Sequence, residues 1–306
     1  MSEKLVSIVL PTYNGEENIE AAITSVLQQT YNNWELIIVN DCSTDNTLQL
    51  IQKFAGIDSR IKILNNTSNQ KLPQTLNNGF AVAKGEYYTW TSDDNMYRPQ
   101  AIKTLVKALE DNSEADMVYS NYTNIDTEGN VISQSKLGKP NELVCGNTIG
   151  ASFLYKREIA NIIGNYDTNL FLAEDYDYWL RIYTHGNIIH IDDDLYLYRR
   201  HAGSLSETKK DKINIQTYKA LEKNFLLLYS RAKENKLENR FFDHITYRAG
   251  NEYDINIMKL LENISLKYKI YHQMIINKNK FKKTWLGKYL LSLKNRVKKE
   301  CVNEYL

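Results

Sequence analysis

Two adjacent carboxylates, Asp93 and Asp94, lie within the sequence TWTSDDNMYRP. The apolar and β-branched run at 86–91 predicts a strand that ends at these acids, and the helical pattern after them opens with Pro99 in its first turn. Ligands of open α/β sheets bind outside the carboxyl ends of strands. Two oxygen donors there suit a hard divalent cation that also binds a phosphate. A structural interpretation, with Asp93 in a turn and Asp94 in solvent, stays open on these residues alone.

Two further acidic points stand at comparable positions. Asp41 follows the apolar run at 34–39, and Glu174 and Asp175 stand at the front of an amphipathic helical pattern. Each could simply cap a turn or favour a helix N-terminus. Their joint arrangement after alternating strands favours a nucleotide and metal site at one rim of a sheet.

The elements that must position these acids alternate along the first two thirds of the chain. Strands are predicted at 5–10, 34–39, 61–64, 86–91 and 117–120, with helical patterns at 19–27, 48–54, 72–83 and 101–109 between them. This alternation predicts an α/β fold with a mostly parallel central sheet and flanking helices. After about residue 212 the pattern is only helical, which divides the chain into a catalytic domain at 1–208 and a helical extension at 209–306.

Bulk composition predicts an ordinary soluble, cytoplasmic protein. Of the 306 residues, 42% are hydrophobic and 25% charged, which is enough for a sizeable core. Three scattered cysteines, Cys42, Cys145 and Cys301, favour a reducing compartment over a disulfide framework or structural zinc. No apolar run has the length of a signal peptide or a membrane span.

Four separated motifs together resemble glycosyltransferase family 2. They are VSIVLPTYN at 6–14, VNDCSTDNT at 39–47, TSDDN at 91–95, and AED with DYW at 173–179. The resemblance runs in order from residue 5 to about 205. It implies the GT-A fold, which is Rossmann-like, and an inverting transferase that uses a nucleotide-sugar donor. The TSDDN form is similar to SpsA-like members, and LNNG at 76–79 resembles bacterial polysaccharide-assembly transferases.

The resemblance implies which residues hold the nucleotide. Pro11, Tyr13 and Asp41 would hold the base and ribose side of the donor, and Asp93 would face the ribose. Asp41 would accept the uracil imide N–H, which favours a UDP-sugar. Cys42 stands where the family often has glycine, so we expect an ordinary backbone conformation there.

The same resemblance implies a metal and a general base. Asp94 would bind Mn²⁺ or Mg²⁺ at the diphosphate, and His201, in the segment YRRHAGSLS, is a further candidate metal or phosphate ligand with an equally open structural role. Asp175 would be the base, with Glu174 as the neighbouring candidate. Successive helical residues point about 100° apart, so only one of the two should face the site.

These roles form one consistent reaction. The diphosphate leaving group needs a divalent cation, and one carboxylate suffices to deprotonate an acceptor hydroxyl. We therefore predict a metal-dependent hexosyltransferase that moves a sugar from a UDP-sugar to a glycan or lipid-linked glycan acceptor in surface polysaccharide synthesis. One alternative is a non-catalytic nucleotide-sugar-binding or scaffold protein. A nucleotidyltransferase would need a Gly-rich phosphate loop after the first strand, which PTYN lacks.

The basic tail is a separate feature. Residues 265–299 contain eleven Lys or Arg and no Asp or Glu, in a chain whose net charge is only +1. Aromatic and aliphatic residues recur every fourth position from Trp285 to Val297, which is typical of a helix on an anionic membrane surface. A helix packed on the catalytic domain explains the pattern equally well, and no nucleic-acid motif accompanies the charge. The helices beyond 205 could also mediate self-association into a homo-oligomer.

Overall fold

The computed structural model describes residues 3–249, in which nine strands form one mixed sheet. The strands are β1 (Val6–Thr12), β2 (Trp34–Asn40), β3 (Ile61–Asn65), β4 (Tyr87–Trp90), β5 (Met96–Tyr97), β6 (Met117–Ile125), β7 (Val131–Ser135), β8 (Phe153–Lys156) and β9 (Ile188–Arg199). Their spatial order is β3-β2-β1-β4-β8-β6-β9-β5, and β7 pairs with β6.

Helices connect and cover these strands. The α-helices are α1 (Ile19–Leu27), α2 (Thr47–Ile57), α3 (Lys71–Val82), α4 (Ala101–Asp111), α5 (Arg157–Ile163), α6 (Glu174–His185), α7 (Leu205–Thr208), α8 (Lys210–Lys223), α9 (Phe225–Glu234) and α10 (Glu238–Ala249). Two short 3₁₀ helices are η1 (Pro140–Cys145) and η2 (Thr168–Leu170).

The first half of the sheet is parallel, as the alternating pattern predicts. Strand β1 lies between β2 and β4 and pairs with both in parallel, and β2 pairs in the same way with β3. All residues of β1 and β2 are buried, because helices cover both faces of parallel strands and leave them apolar throughout. The carboxyl ends of β1, β2 and β4 therefore meet at one rim.

The second half of the sheet mixes directions. Strand β8 runs antiparallel to both β4 and β6, whereas β6 and β9 run parallel to each other. The α/β fold class is thus confirmed, with its parallel part concentrated in the first half. The turn at Asp126–Gly129 joins β6 to the antiparallel β7, as its sequence indicates.

The helix after the acidic pair begins two residues later than its proline suggests. Pro99 lies before α4, whose first residue is Ala101. The Pro99 carbonyl accepts a hydrogen bond from the Thr30 N–H. Proline was expected in the first turn because its missing N–H costs nothing there. Here the short strand β5 occupies the preceding residues and fixes the start of the helix instead.

Helices α8–α10 pack against the sheet domain. The buried Asp177 of α6 accepts hydrogen bonds from Lys223 at 3.2 Å and Asn224 at 3.0 Å, which ties α6 to the end of α8. The compact unit that contains the sheet ends at Ala249, and a domain boundary at 208/209 stays a prediction. The basic segment 265–299 lies outside the described residues. In the described part of the chain, no helix is long and apolar enough to cross a bilayer.

Candidate active site

Asp41 lies just beyond β2, and donors from the start of α3 surround its carboxylate. Its Oδ1 accepts from the Asn66 side chain and from the Gln70 N–H, both at 2.8 Å, and its Oδ2 accepts from the Lys71 N–H at 3.0 Å. The Asp41 N–H in turn donates to the Thr12 carbonyl at the end of β1. A carboxylate has about four acceptor positions, so one position remains for a ligand donor.

The turn after Asp41 differs from the prediction for Cys42. Cys42 has φ 65°, in the left-handed region that the missing family glycine would occupy readily. Hydrogen bonds fix the turn on both sides: the Ser43 N–H donates to the Asn40 side chain, and the Asn66 N–H donates to the Asn40 carbonyl. The expected ordinary backbone at Cys42 was therefore wrong, since these contacts impose the conformation on a non-glycine residue.

Asp93 faces the end of β1. The Thr12 hydroxyl donates to its Oδ2 at 2.6 Å. Burial, with the nearby charge of Asp94, raises the pKa of Asp93 to about 6 although the Thr12 hydrogen bond opposes the shift. Gly15 closes the same space, because a Cβ there would stand 2.3 Å from Asp93 Oδ2 and 2.7 Å from Thr12 Oγ1. The chain can approach Asp93 this closely only without a side chain at position 15.

Asp94 pairs with His201. Their Oδ2 and Nε2 atoms are 3.0 Å apart, and both side chains are partly buried. Arg199 holds the two segments together, since its Nε donates to the Asp94 carbonyl and its backbone N–H donates to the Asn95 side chain. Strand β9 thus delivers His201 to the acids that follow β4.

The Asp94–His201 pair fits a divalent cation. Asp94 Oδ1 is buried and has no hydrogen-bond partner among the described residues, which leaves an anionic oxygen without compensation. Within residues 3–249, no cluster of three or more acidic, His or Cys side chains surrounds a common point. Cations of the Mg²⁺ class often take one or two protein ligands and complete their shell with phosphate oxygens and water.

Glu174 and Asp175 begin α6, but their side chains differ in surroundings. The Glu174 carboxyl turns back and accepts the Leu172 N–H at 2.6 Å, where Leu172 has φ 82°. Burial, together with the charge of Asp175, raises the pKa of Glu174 to about 8. Glu174 therefore secures the turn that precedes the helix.

Asp175 is the more accessible of the two. Its Oδ1 accepts the Tyr176 N–H at 2.7 Å, and its Oδ2 accepts from the Asn147 side chain at 3.2 Å. Burial also raises the pKa of Asp175, against the effect of these donors. A carboxyl group that is only partly buried and has a raised pKa is suited to act as a proton acceptor.

Tyr166 connects Asp175 to β4. Its hydroxyl accepts from Trp90 Nε1 at 3.1 Å, and its ring stacks on Tyr178 of α6 at 3.9 Å between centroids. Burial raises the pKa of Tyr166, and the charge of Asp175 contributes to that shift. Because Trp90 ends β4 four residues before Asp94, Tyr166 links the helix that carries Asp175 to the strand that leads to the acidic pair.

The remaining predicted nucleotide residues flank this rim. Pro11 is buried in β1 opposite Val39, and Tyr13 follows β1 with 49% of its surface exposed. Pro11 therefore supports the strand, and the exposed ring of Tyr13 can contact a ligand.

Several supporting residues were not predicted from the sequence. Thr12 lies inside a quoted motif but carries no chemical signal of its own, and the donors to Asp41 include two backbone N–H groups, which no side-chain pattern reveals. Asn147 stands in the loop before β8, far from Asp175 in sequence. Only the three-dimensional structure places these residues together.

Comparisons with known proteins agree with this geometry. The sequence model of Glycosyl transferase family 2 matches residues 7–172, more than half of the chain. An uncharacterized glycosyltransferase of Haemophilus influenzae is 30% identical over 94% of this chain and 86% of its own length. The Escherichia coli protein WfgD, named a UDP-Glc:alpha-D-GlcNAc-diphosphoundecaprenol beta-1,3-glucosyltransferase, is 31% identical over 71% of this chain and 85% of its own length.

Solved structures show the same fold. Staphylococcus aureus TarS 1–349, in its complex with UDP-GlcNAc, superposes with a TM-score of 0.64 over 86% of this chain and 77% of TarS 1–349, at 17% identity. At that identity the likeness establishes the GT-A fold alone. The family match, the broad similarity to transferases and the acids at the carboxyl ends of the strands lead to one conclusion: the chain belongs to glycosyltransferase family 2.

Proposed function

We propose that this transferase moves a sugar from a UDP-sugar to a glycan or lipid-linked glycan acceptor and inverts the anomeric configuration. The observation that carries the proposal is the Asp94–His201 pair, 3.0 Å apart, on the rim that also holds Asp93 and the start of α6. It combines a diphosphate site with a nearby carboxylate that can accept a proton.

Uridine suits the first part of the rim. Asp41 keeps one free acceptor position, which can receive the imide N–H of uracil, and the exposed Tyr13 ring can lie against the base. Asp93, to which the Thr12 hydroxyl donates, would accept a hydrogen bond from a ribose hydroxyl. The name of WfgD and the TarS complex support a UDP-sugar donor, because both refer to one.

Asp94 and His201 would hold Mn²⁺ or Mg²⁺. The ligands from this pair would be Asp94 Oδ1, which is buried and has no hydrogen-bond partner among the described residues, and a ring nitrogen of the partly exposed His201. A bound divalent cation supplies Lewis-acid stabilisation of the charge that develops on the diphosphate leaving group. Arg199 keeps both ligands in register through its bonds to the Asp94 and Asn95 segment.

Asp175 acts as the general base. Its Oδ2 takes the proton of the acceptor hydroxyl while the hydroxyl oxygen bonds to the anomeric carbon. The bond from that carbon to the diphosphate oxygen breaks at the same time, and UDP leaves with the electron pair. Attack from the face opposite the leaving group inverts the configuration, as in a single displacement. The Glu174 carboxyl is already occupied by its hydrogen bond from the Leu172 N–H, which favours Asp175 for this role.

A lipid-linked acceptor gives the protein a cellular context. WfgD acts on a diphosphoundecaprenol-linked sugar by its name, and a similar acceptor would place this chain in surface polysaccharide synthesis. Such acceptors are held at a membrane, so a cytoplasmic position at the inner face of the membrane, with contact through 265–299, follows as part of the proposal. Self-association through the C-terminal helices stays a prediction.

Acceptor-stimulated release of nucleotide tests the proposal. The full chain is incubated with UDP-glucose, UDP-GlcNAc or GDP-mannose and with GlcNAc-diphosphoundecaprenol in Mn²⁺. We expect UDP release from at least one UDP-sugar, with loss of release in Asp94→Ala. Release from GDP-mannose alone would overturn the donor assignment. Binding of UDP without release from any donor would favour the non-catalytic alternative.

A further inference from the structure

Asn147 lies in the loop between η1 and β8 and contacts Asp175 through its side-chain amide. The Ile149 N–H donates to Asn147 Oδ1 at 3.2 Å. A backbone N–H can only donate, so this bond fixes the oxygen of the amide toward Ile149 and its NH₂ group toward Asp175. Asn147 Nδ2 then stands 3.2 Å from Asp175 Oδ2 as a donor.

The two oxygens of Asp175 are thereby made unequal. Oδ1 accepts the Tyr176 N–H at the first turn of α6, and Oδ2 accepts from Asn147 and retains a further lone pair. A carboxylate held by one donor on each oxygen cannot rotate freely. The lone pair of Oδ2 therefore keeps a fixed direction.

The loop that carries Asn147 is anchored to the helix that carries Asp175. The Tyr176 hydroxyl donates to the Leu143 carbonyl of η1 at 2.8 Å, and Arg240 of α10 donates to Glu142 at 2.8 Å. These bonds hold η1 at positions four and five residues before Asn147. Asn147 itself is exposed, and the second N–H of its amide has no partner among the described residues.

We propose that Asn147 is a positioning residue for the general base, which rests on the function proposed above for Asp175. One N–H of Asn147 aims Asp175 Oδ2, and the other donates to the oxygen of the acceptor hydroxyl that gives its proton to Oδ2. A sugar hydroxyl would then accept a hydrogen bond from Asn147 and donate one to Asp175 at the same time.

Charge near Asp175 supports this role. Within residues 3–249, the titratable groups whose charge interacts with Asp175 are Glu174 on the same helix and Tyr166. Burial raises the pKa of Asp175, and the Asn147 hydrogen bond lowers it by stabilising the ionised form. Removing Asn147 should therefore leave Asp175 protonated over a wider range of pH.

A titration of the Asp175 carboxyl carbon tests the positioning role without any substrate. Full-length protein labelled with ¹³C at aspartate carboxyls is titrated by NMR, and the Asp175 signal is identified by its loss in Asp175→Asn. We expect its titration to move to higher pH in Asn147→Ala and farther in Asn147→Asp, which adds a second carboxylate. Asn112→Ala, the same change at the exposed end of α4, should leave the signal in place. An unchanged Asp175 titration in both Asn147 variants would overturn the proposal.

Turnover separates this proposal from the function on which it depends. Asn147→Ala should lower the rate of UDP release about tenfold or more, with its loss of activity greatest at low pH and UDP binding within about twofold of wild type. Wild-type activity in Asn147→Ala, with Asp175→Asn inactive, would contradict the positioning role alone. Full activity in Asp175→Asn would contradict the proposed base instead, whatever Asn147 does.

Discussion

Asp41 and Asp175 are carboxylates on the same rim, and the protein surrounds them differently. Asp41 receives three donors, two of them backbone N–H groups at the start of α3. Asp175 receives one backbone N–H and one side-chain amide, and its burial raises its pKa. Donors on both oxygens fix the orientation of the first carboxylate, which can accept one further hydrogen bond, and the raised pKa of the second favours gain of a proton.

The contrast extends to the two halves of the sheet. Parallel strands in the first half bring Asp41, Asp93 and Asp94 to one edge, as in other open α/β sheets. The second half delivers Asp175 on a helix and His201 from the end of β9. In the proposed function, the acids of the first half hold the nucleotide together with His201, and Asp175 on α6 accepts the proton, so substitutions should separate nucleotide binding from proton transfer.

Asp175→Asn should have the largest effect on catalysis. The amide cannot accept the acceptor proton, so turnover should fall by about 10²- to 10⁴-fold. The nucleotide edge of the rim is untouched, so UDP affinity should stay within about twofold of wild type. UDP release and calorimetric UDP binding on the same preparation measure the two effects. A parallel loss of both would contradict the separation of nucleotide binding from proton transfer.

Asp177→Ala should have the largest effect on stability. Asp177 is fully buried and binds Arg181 at 2.9 Å as well as Lys223 and Asn224, so its removal takes the carboxylate partner from the mostly buried Arg181 guanidinium and breaks the contact with the end of α8. We expect a loss of about 3–5 kcal/mol in the free energy of unfolding, measured by urea denaturation. Asp111→Ala, which breaks the exposed Lys107–Asp111 pair, is the control and should cost about 0.5 kcal/mol or less. If Asp177→Ala and Asp111→Ala lose the same free energy of unfolding, the contacts of Asp177, including the one between α6 and α8, do not stabilise the fold.

The raised pKa of Glu174 predicts how stability depends on pH. Its ordinary pKa is 4.5, and burial raises the pKa of Glu174 to about 8 in the folded protein. Between these values the folded state keeps a proton that the unfolded chain loses, so stability should fall as pH rises through this window. Glu174→Gln keeps an oxygen for the Leu172 N–H and should reduce the fall between about pH 5 and about pH 8 by on the order of 2–3 kcal/mol. If urea denaturation shows the same loss of stability between these pH values in wild type and in Glu174→Gln, Glu174 is not the cause of the pH dependence.

Gly15→Ala should weaken the nucleotide half by a smaller amount. The new Cβ would overlap Asp93 Oδ2 and Thr12 Oγ1, so the pair must separate and UDP affinity should fall about tenfold. Gly56→Ala is the matched control, because a Cβ there meets nothing within 4 Å in helix α2. That change should leave UDP binding unaltered and raise stability by about 0.5–1 kcal/mol. If Gly15→Ala binds UDP with wild-type affinity, the close approach of Gly15 to Asp93 does not contribute to nucleotide binding.

Local patterns predict the first half of the fold well. The strands at 34–39 and 61–64 and the helix at 72–83 agree with β2, β3 and α3, because continuous apolar runs and helical spacing are local signals. Strand β9 was not predicted: its Asp192–Asp194 segment is polar, and the strand exists because it pairs with β6 and β5. Pairing between distant residues leaves no local pattern in one sequence.

The candidate site divides in the same way. The motifs identify the acids, and the structure places His201 Nε2 3.0 Å from Asp94 Oδ2, whereas the role of this pair as metal ligands stays a prediction. The residues that hold the acids are harder to predict, since Asn147 is a single amide in a loop. The left-handed backbone at Cys42 was missed because its cause is not its residue type but the hydrogen bonds that Ser43 and Asn66 donate to Asn40 at the end of β2.

Calorimetric titration of UDP tests the central claim most directly. Wild type, Asp94→Ala and the control Asp111→Ala are titrated with UDP and with GDP, each with and without Mn²⁺. The proposed function predicts that UDP binds wild type and Asp111→Ala only with Mn²⁺, that GDP binds more weakly, and that Asp94→Ala loses the metal-dependent binding. UDP binding that is equal with and without Mn²⁺ and unaffected by Asp94→Ala would contradict the metal site, and tighter binding of GDP would contradict the uridine donor.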